Sequence, residues 1–214
     1  MNEIRYQENK ITKITSSALM LSVIFVLGFF LRFIKFNSFL SFNFSFVIIY
    51  ITYRYISKKG AFLIAFLNAI ISPAINAQGY EPGIMLGHFI LLLSIILFVL
   101  FLDLFQFIIP FKKLIFNIFQ LLLATIAASI IITLLNVYIF TAIYFKIYHT
   151  INSFSYTEII KKWNIFRGLF FNMNSYFLGA GITYFTFNII NISVNSILIL
   201  LLQNPVKKIF SFKF

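Results

Sequence analysis

Residues 184–208, YFTFNIINISVNSILILLLQNPVKK, hold the only regular polar stripe inside any long apolar run of this chain. Gly181, Tyr184, Asn188, Asn191 and Asn195 follow one another at steps of three, four, three and four. At about 3.6 residues per turn this spacing puts all five on one helix face and turns Phe185, Phe187, Ile189, Ile190 and Ile192 elsewhere. One side of the helix therefore faces something other than lipid, because an unpaired amide in hydrocarbon is costly. Either the amides contact a ligand in a cavity, or they join neighbouring helices at roughly 0.6–2 kcal/mol per bond. Three Asn within two turns exceed what one helix contact needs, which favours a ligand.

The rest of the chain fits a membrane setting. Its 214 residues are 61% hydrophobic and 10% charged, with a mean hydropathy of +0.99, which no ordinary soluble domain of this size could keep in solution. Seventeen basic against five acidic side chains give +12. In a soluble protein that balance would suggest nucleic acid. Here the basic residues sit at the ends of apolar runs, where they set orientation, and no nucleic-acid partner is expected. There is no cysteine, so disulfide and thiolate chemistry are excluded. Abundant Phe, Ile, Asn, Lys and Tyr suggest an A+T-rich bacterial genome and hence a bacterial cell membrane.

The pattern predicts an all-α integral membrane protein, a single domain over 1–214 with six transmembrane helices at about 16–35, 44–57, 61–77, 84–109, 114–140 and 180–203. An outer loop at 146–167 carries a short helix, opened by the capping-box string Ser155-Tyr156-Thr157-Glu158. Six spans place Arg5, Lys10, Lys13, Arg54, Lys58, Lys59, Lys112, Lys113, Lys207, Lys208 and Lys213 on one side, eleven in all, and Arg32, Lys35, Lys146, Lys161, Lys162 and Arg167, six in all, on the other. The richer side is cytoplasmic, so both termini are expected there. A seventh helix, turning at Gly179-Ala180-Gly181, would split the charges eight to nine; six is the better count, with 165–178 as an interfacial or pocket-capping segment.

Absent motifs narrow the function. No phosphate-binding G-x-x-x-x-G-K-[ST] occurs, so ATP-driven work needs a partner. No H-E-x-x-H or G-x-S-x-G occurs, His88 and His149 stand far apart, and neither catalytic residues, metal nor cofactor is expected. Asp103 is expected to snorkel or to pair with Lys112 or Lys113. On span one, Ala18 and Ser22 form a small-x-x-x-small pair that allows another helix to approach closely. Under this topology Phe36, Phe39, Asn76, Gln78, Tyr80, Glu81, His88, Asn136, Tyr144 and the 184–195 stripe all fall in the outer half. Aromatic surfaces with a few amides suit a planar, hydrogen-bonding small molecule, and the tyrosines alone also suit an ordinary interfacial belt.

Several stretches resemble the substrate-binding S components of energy-coupling factor (ECF) vitamin importers, particularly the riboflavin and folate branches. KKGAFLIAFLNAIISPAINAQGYEPGIMLGH at 58–88 looks like the family's glycine-led third helix, outer loop and Pro-Gly entry to helix four. NVYIFTAIY at 136–144 is similar to its Asn-x-aromatic end of helix five, with Ala142 where Pro is usual. FNIINISVNSILILLLQNPVKK at 187–208 resembles its Pro-Phe-Asn-x-x-Lys-Gly-x-x-Asn-Ser helix, with Thr186, Asn191 and Ile192 replacing Pro, Lys and Gly. Ala18 and Ser22 match the family's Ala-x-x-x-Ala with one Ala changed. The resemblance implies an outward-facing pocket for a water-soluble vitamin, riboflavin-like, with Phe36, Tyr80, His88, Asn136, Tyr144, Tyr184, Asn188 and Asn191 as binding residues. It also implies coupling through Ala18 and Ser22 to a membrane-embedded T component bearing two ATPase subunits. The rival readings are a stand-alone carrier or channel and a non-transporting membrane scaffold.

Overall fold

The computed structural model describes residues 2–31, 33–37, 39–75, 79–109 and 114–211. Arg32, Asn76, Gln78, Lys112, Lys113 and Lys213, named above, lie outside them. The described chain is helical: α1 (Asn2–Leu31), α2 (Ser45–Tyr55), α3 (Lys58–Ile75), α4 (Pro82–Ile108), α5 (Leu114–Leu135), a π-helical segment (Asn136–Phe140), α6 (Thr141–Ile147), α7 (Tyr156–Lys161), α8 (Trp163–Phe166), a 3-10 turn (Arg167–Phe170) and α9 (Tyr176–Ser211).

Side-chain pairings fix the helix directions. Gly28, late in α1, borders the same cavity as Gly83 and Gly87 at the start of α4, whereas Ser17, earlier in α1, lies against Gly60 at the start of α3. Phe46 and Tyr53 of α2 meet Phe98 and Asp103 of α4 in that order, so these two helices run the same way. The pairs Thr125–Ser196, Thr133–Asn188 and Thr141–Tyr184 step in opposite senses along α5–α6 and α9. Hence α1, α3 and α5 rise toward the cavity end, and α2, α4 and α9 descend from it.

Among the described residues, five helical stretches are long and apolar enough to cross a membrane: Lys10–Leu31, Lys58–Ile75, Pro82–Ile108, Asn117–Ile147 and Tyr176–Val206. That fits a multi-pass membrane protein, as does a surface carrying Phe30, Phe66, Leu100, Phe107, Ile197 and Leu201 exposed on α1, α3, α4 and α9. The second expected span differs from the others. Helix α2 has 11 residues, a rise of about 16 Å against a hydrocarbon core of about 30 Å. Its residues 45–53 are buried without interruption. A helix apolar all round belongs at the centre of a bundle, and α2 sits there, packed by α1, α3, α4 and α9.

Boundaries moved where tertiary contacts outweigh local signals. Pro73 and the Gly179–Gly181 string do not stop their helices: α3 continues through Pro73 to Ile75, and α9 starts at Tyr176 and runs unbroken through the string. The turn expected of a seventh helix is thus replaced by continuous helix. The fifth span does not end at 140, because the π segment hands over directly to α6. Ser155 caps α7 by accepting the Thr157 N–H at 3.2 Å. The Glu158 carboxylate accepts the N–H groups of Asn152 and Ser153 at 2.9 Å each, a variant of the expected reciprocal box.

Candidate functional site

A cavity of about 350 Å³ opens at the end of the bundle from which α2, α4 and α9 descend. Its walls are the first three turns of α4 (Gly83 to Ser94), the π segment with α6 (Asn136, Phe140, Thr141, Tyr144), and α9 (Tyr184, Phe187, Asn188, Asn191, Ile192). Two connections roof it: residues 39–43 between α1 and α2, and Leu169 with Phe170 from the 3-10 turn. The roof is held by aromatic edges. The Phe39 ring stands 5.8 Å from Phe170, 6.2 Å from Tyr184 and 6.3 Å from Tyr144, separations at which edge and tilted ring pairs attract.

Local sequence explains how each wall forms. Asn43 opens α2 by accepting the Ser45 N–H at 2.8 Å through its side chain, which ends the roof and starts the central helix. On α4, a Cβ at Gly83 would fall 2.4 Å from the Tyr148 hydroxyl oxygen, so only glycine lets Tyr148 pack there; a Cβ at Gly87 would meet nothing within 4 Å. The π segment widens the helix by one residue per turn. It places Asn136, Phe140 and Thr141 all on the cavity, with the Thr141 hydroxyl donating to the Asn136 carbonyl at 2.7 Å. Such insertions recur at functional sites. Tyr176, the first residue of α9, donates its hydroxyl to the Val137 carbonyl and pins the segment from outside.

Of the eight residues expected at the site, His88, Asn136, Tyr144, Tyr184, Asn188 and Asn191 line the cavity. The other two do not. Phe36 stands behind the wall, its ring 5.7 Å from Phe187 and 6.1 Å from Phe171. Tyr80 lies away from the cavity, 58% exposed ahead of α4. Gly181, first on the stripe, also falls outside the lining. Conversely, Phe187 and Ile192, expected to turn elsewhere, line the cavity. The concavity wraps further around α9 than a narrow polar stripe implies.

The amides divide between packing and exposure to the cavity. Asn195 donates to the carbonyls of Asn43 at 2.9 Å and Asn191 at 2.7 Å, and its Oδ1 is buried without a partner among the described residues. Asn191 accepts the Asn43 N–H at 3.1 Å. A backbone N–H can only donate, so this bond fixes the amide's orientation and leaves its NH2 group toward the cavity. Asn188 reaches the Thr133 hydroxyl at 3.1 Å through its nitrogen, leaving its oxygen. Asn136 is 5% exposed, and its side-chain amide makes no hydrogen bond among the described residues. Buried amides normally find partners within the protein; the atoms left over on Asn136, Asn188 and Asn191 belong to cavity-lining residues, whereas the unpartnered Asn195 Oδ1 does not. Tyr184 is committed elsewhere, its hydroxyl 2.8 Å from that of Thr141.

At the opposite end Asp103 accepts the Tyr53 hydroxyl and lies 3.5 Å from Lys58 Nζ, so its cation comes from the start of α3. Ala18 and Ser22 are both exposed on the outside of α1, with the Ser22 hydroxyl turned back to the Ala18 carbonyl at 3.2 Å. Among the described residues, no other helix covers them. Set beside known proteins, the chain matches no family model, no curated protein and no solved structure.

Proposed function

We propose that the chain is the substrate-capturing S component of an ECF-type importer in a bacterial cell membrane, taking up a water-soluble, riboflavin-like vitamin and relying on separate T and ATPase subunits for energy. The carrying observation is the cavity in which Asn136, Asn188 and Asn191, each more than nine-tenths buried, keep hydrogen-bonding atoms free of protein partners among the described residues. Helix-joining amides would use those atoms up, as Asn195 largely does. A volume of about 350 Å³ lies at the lower end of the roughly 300–1,000 Å³ usual for small-molecule sites.

In this reading α2 completes a sixth crossing together with the roof connection, and both termini are cytoplasmic. The positive-inside count of eleven to six then puts the cavity at the outer face. The protein is not an enzyme; it binds and delivers. A stand-alone carrier would need a route or a coupling ion. Asp103, the acid within the spans, is paired at the far end from the cavity, which disfavours that role. A pure scaffold leaves the free amides unexplained.

Purification from native membranes tests this directly. Two ATPases and a T component should co-purify, and small molecules released by denaturation should include a vitamin detectable by mass spectrometry. Transport by the chain alone in liposomes, or recovery without ATPases or ligand, would sink the proposal.

A further inference from the structure

We infer that the cavity selects ligands that carry no net charge. This rests on the capture reading above and narrows it to a chemical class. Among the described lining residues there is no Asp, Glu, Lys or Arg. The polar functions are amides, hydroxyls, backbone and one imidazole.

Among the described residues, the charged side chains nearest in the chain are engaged or exposed elsewhere. Lys146 donates to the Asn152 carbonyl at 2.6 Å, Lys162 pairs with Glu158 at 3.2 Å, and Lys35, Glu81 and Arg167 are exposed outside the lining. An ion moved from water into such a site loses hydration that neutral dipoles replace poorly unless many converge on it. The N-terminus of α4 is the element best suited to offset an anion. Its first turn is covered by the Tyr148 ring, packed where a Gly83 side chain would stand. Neutral donors and acceptors are well matched instead: the Asn191 NH2 group, the Asn188 oxygen and the whole Asn136 amide can pair with an uncharged polar ligand.

The experiment uses the full chain in lipid nanodiscs at about pH 8. Trp163, the single tryptophan, stands 5.4 Å from the cavity-lining Phe170 ring and reports occupancy by fluorescence; equilibrium dialysis gives an independent affinity. The probes are matched sets differing in charge: nicotinamide, nicotinate and N1-methylnicotinamide; pantothenol and pantothenate; riboflavin and riboflavin 5′-phosphate.

At least one neutral member should bind, its ionised counterparts at least about tenfold more weakly, and Gly87→Phe, which fills the open wall of α4, should abolish binding. Gly87→Lys, adding a cation where a side chain meets no obstruction, should narrow the gap to the anionic counterpart by at least about threefold. An ionised member that binds as tightly as its neutral partner and is blocked by Gly87→Phe overturns the charge rule while leaving the capture reading intact. An unchanged gap in Gly87→Lys counts against the charge rule alone. Silence from every neutral member, or binding indifferent to Gly87→Phe, overturns the capture reading and this inference with it.

Discussion

The two ends of the bundle handle polar groups in opposite ways. Toward the end opposite the cavity a dry core of Ile64, Ile95, Phe98, Val99 and Leu102 packs around α2, and several of its polar side chains are paired, Tyr53 with Asp103 and Thr125 with Ser196 at 2.9 Å, while the buried Ser17 hydroxyl has no partner among the described residues. At the cavity end the same helices carry amides with atoms to spare, beside glycines and a π segment that hold space open. A bundle built for stability alone would leave few amide atoms unmatched at either end, since each unmatched buried polar group costs free energy. The difference between the ends is therefore the main reason to look for a ligand at one of them.

The largest effects should fall in the dry end. Phe98 is fully buried, its ring edge-on to Phe46 at 5.8 Å. Phe98→Ala should cost about 3–5 kcal/mol through the cavity it leaves, read as an early unfolding transition in mixed micelles. A loss below about 1 kcal/mol would mean that the inner end is not the stabilising half.

A smaller and more discriminating contrast lies along the amides. Asn195→Ala removes the bonds that tie α9 to the start of α2 and should lower stability by about 1–3 kcal/mol with little direct effect on a bound ligand. Asn136→Ala should leave stability within about 0.5 kcal/mol, because no protein partner is stranded, and should weaken ligand binding by about 1–3 kcal/mol. Asn191 combines both roles, so Asn191→Ala should lose some of each. Ile190, 38% exposed, is the proper control on α9, since Phe187 lines the cavity. If Asn136→Ala and Asn195→Ala lower stability equally and leave binding alone, both amides are packing groups and the comparison between the ends fails.

How far this was legible in the sequence depends on the kind of signal. The stripe was legible because a helix converts spacing directly into direction: Tyr184, Asn188 and Asn191 share a wall as 3.6-residue periodicity requires. Asn136 came through its place in the outer half of span five and through the resemblance, not through periodicity. The register that aims it comes from the π segment, a change of one residue per turn that leaves no repeating pattern in so short a stretch. Periodicity also says nothing about which acceptor an amide meets, and so could not separate the packing role of Asn195 from the partly free state of Asn191. The shortness of α2 was hidden because 44–57 is apolar enough to read as a span, whereas its actual length is set by Asn43 at one end and, at the other, by Ser57, whose hydroxyl accepts the Gly60 N–H at 3.1 Å where α3 begins. Tyr80 and Phe36 were placed by aromatic character, which reports proximity to an interface and not orientation toward a cavity.

A smaller effect should separate the loop region from both ends. Glu158 is held well below the ordinary carboxylate value of 4.5, at about 2, because the Asn152 N–H and then the Ser153 hydroxyl donate to its charged form, with Lys162 adding to them. A folded-state pKa below the unfolded one means that the unfolded loop binds the extra proton first as pH falls. The contribution to loop order is therefore complete above about pH 4.5 and lost as pH falls toward 2. Amide exchange at Asn152 and Ser153 should accelerate across that window beyond its intrinsic pH dependence, and Glu158→Gln should show the faster exchange already at neutral pH. Protection unchanged in Glu158→Gln would remove the carboxylate as the loop's organiser.

The smallest effect on the isolated protein, and the most informative about its partners, is expected on α1. Ser17 and Ala18 are adjacent in sequence and opposite in surroundings. Ser17 is buried, and its hydroxyl oxygen lies 2.5 Å from where a Gly60 Cβ would stand, while Ala18 and Ser22 point away from the bundle. Ser17→Trp must drive α1 off α3 and should unfold the protein or lower its stability severely. Ala18→Trp and Ser22→Leu add bulk where nothing in this chain is displaced, so stability should move by no more than about 0.5 kcal/mol and binding of a neutral ligand should persist. If the proposed T component docks on this face, the same two variants should lose the ATPases on purification and lose vitamin uptake, since a small-residue surface admits a second helix only while it stays small. Binding and fold retained with the complex lost would locate coupling on α1, at the far side of the bundle's core from the amides. An intact complex and full uptake in both variants would free α1 from that role, and the partner would have to be sought on another exposed helix.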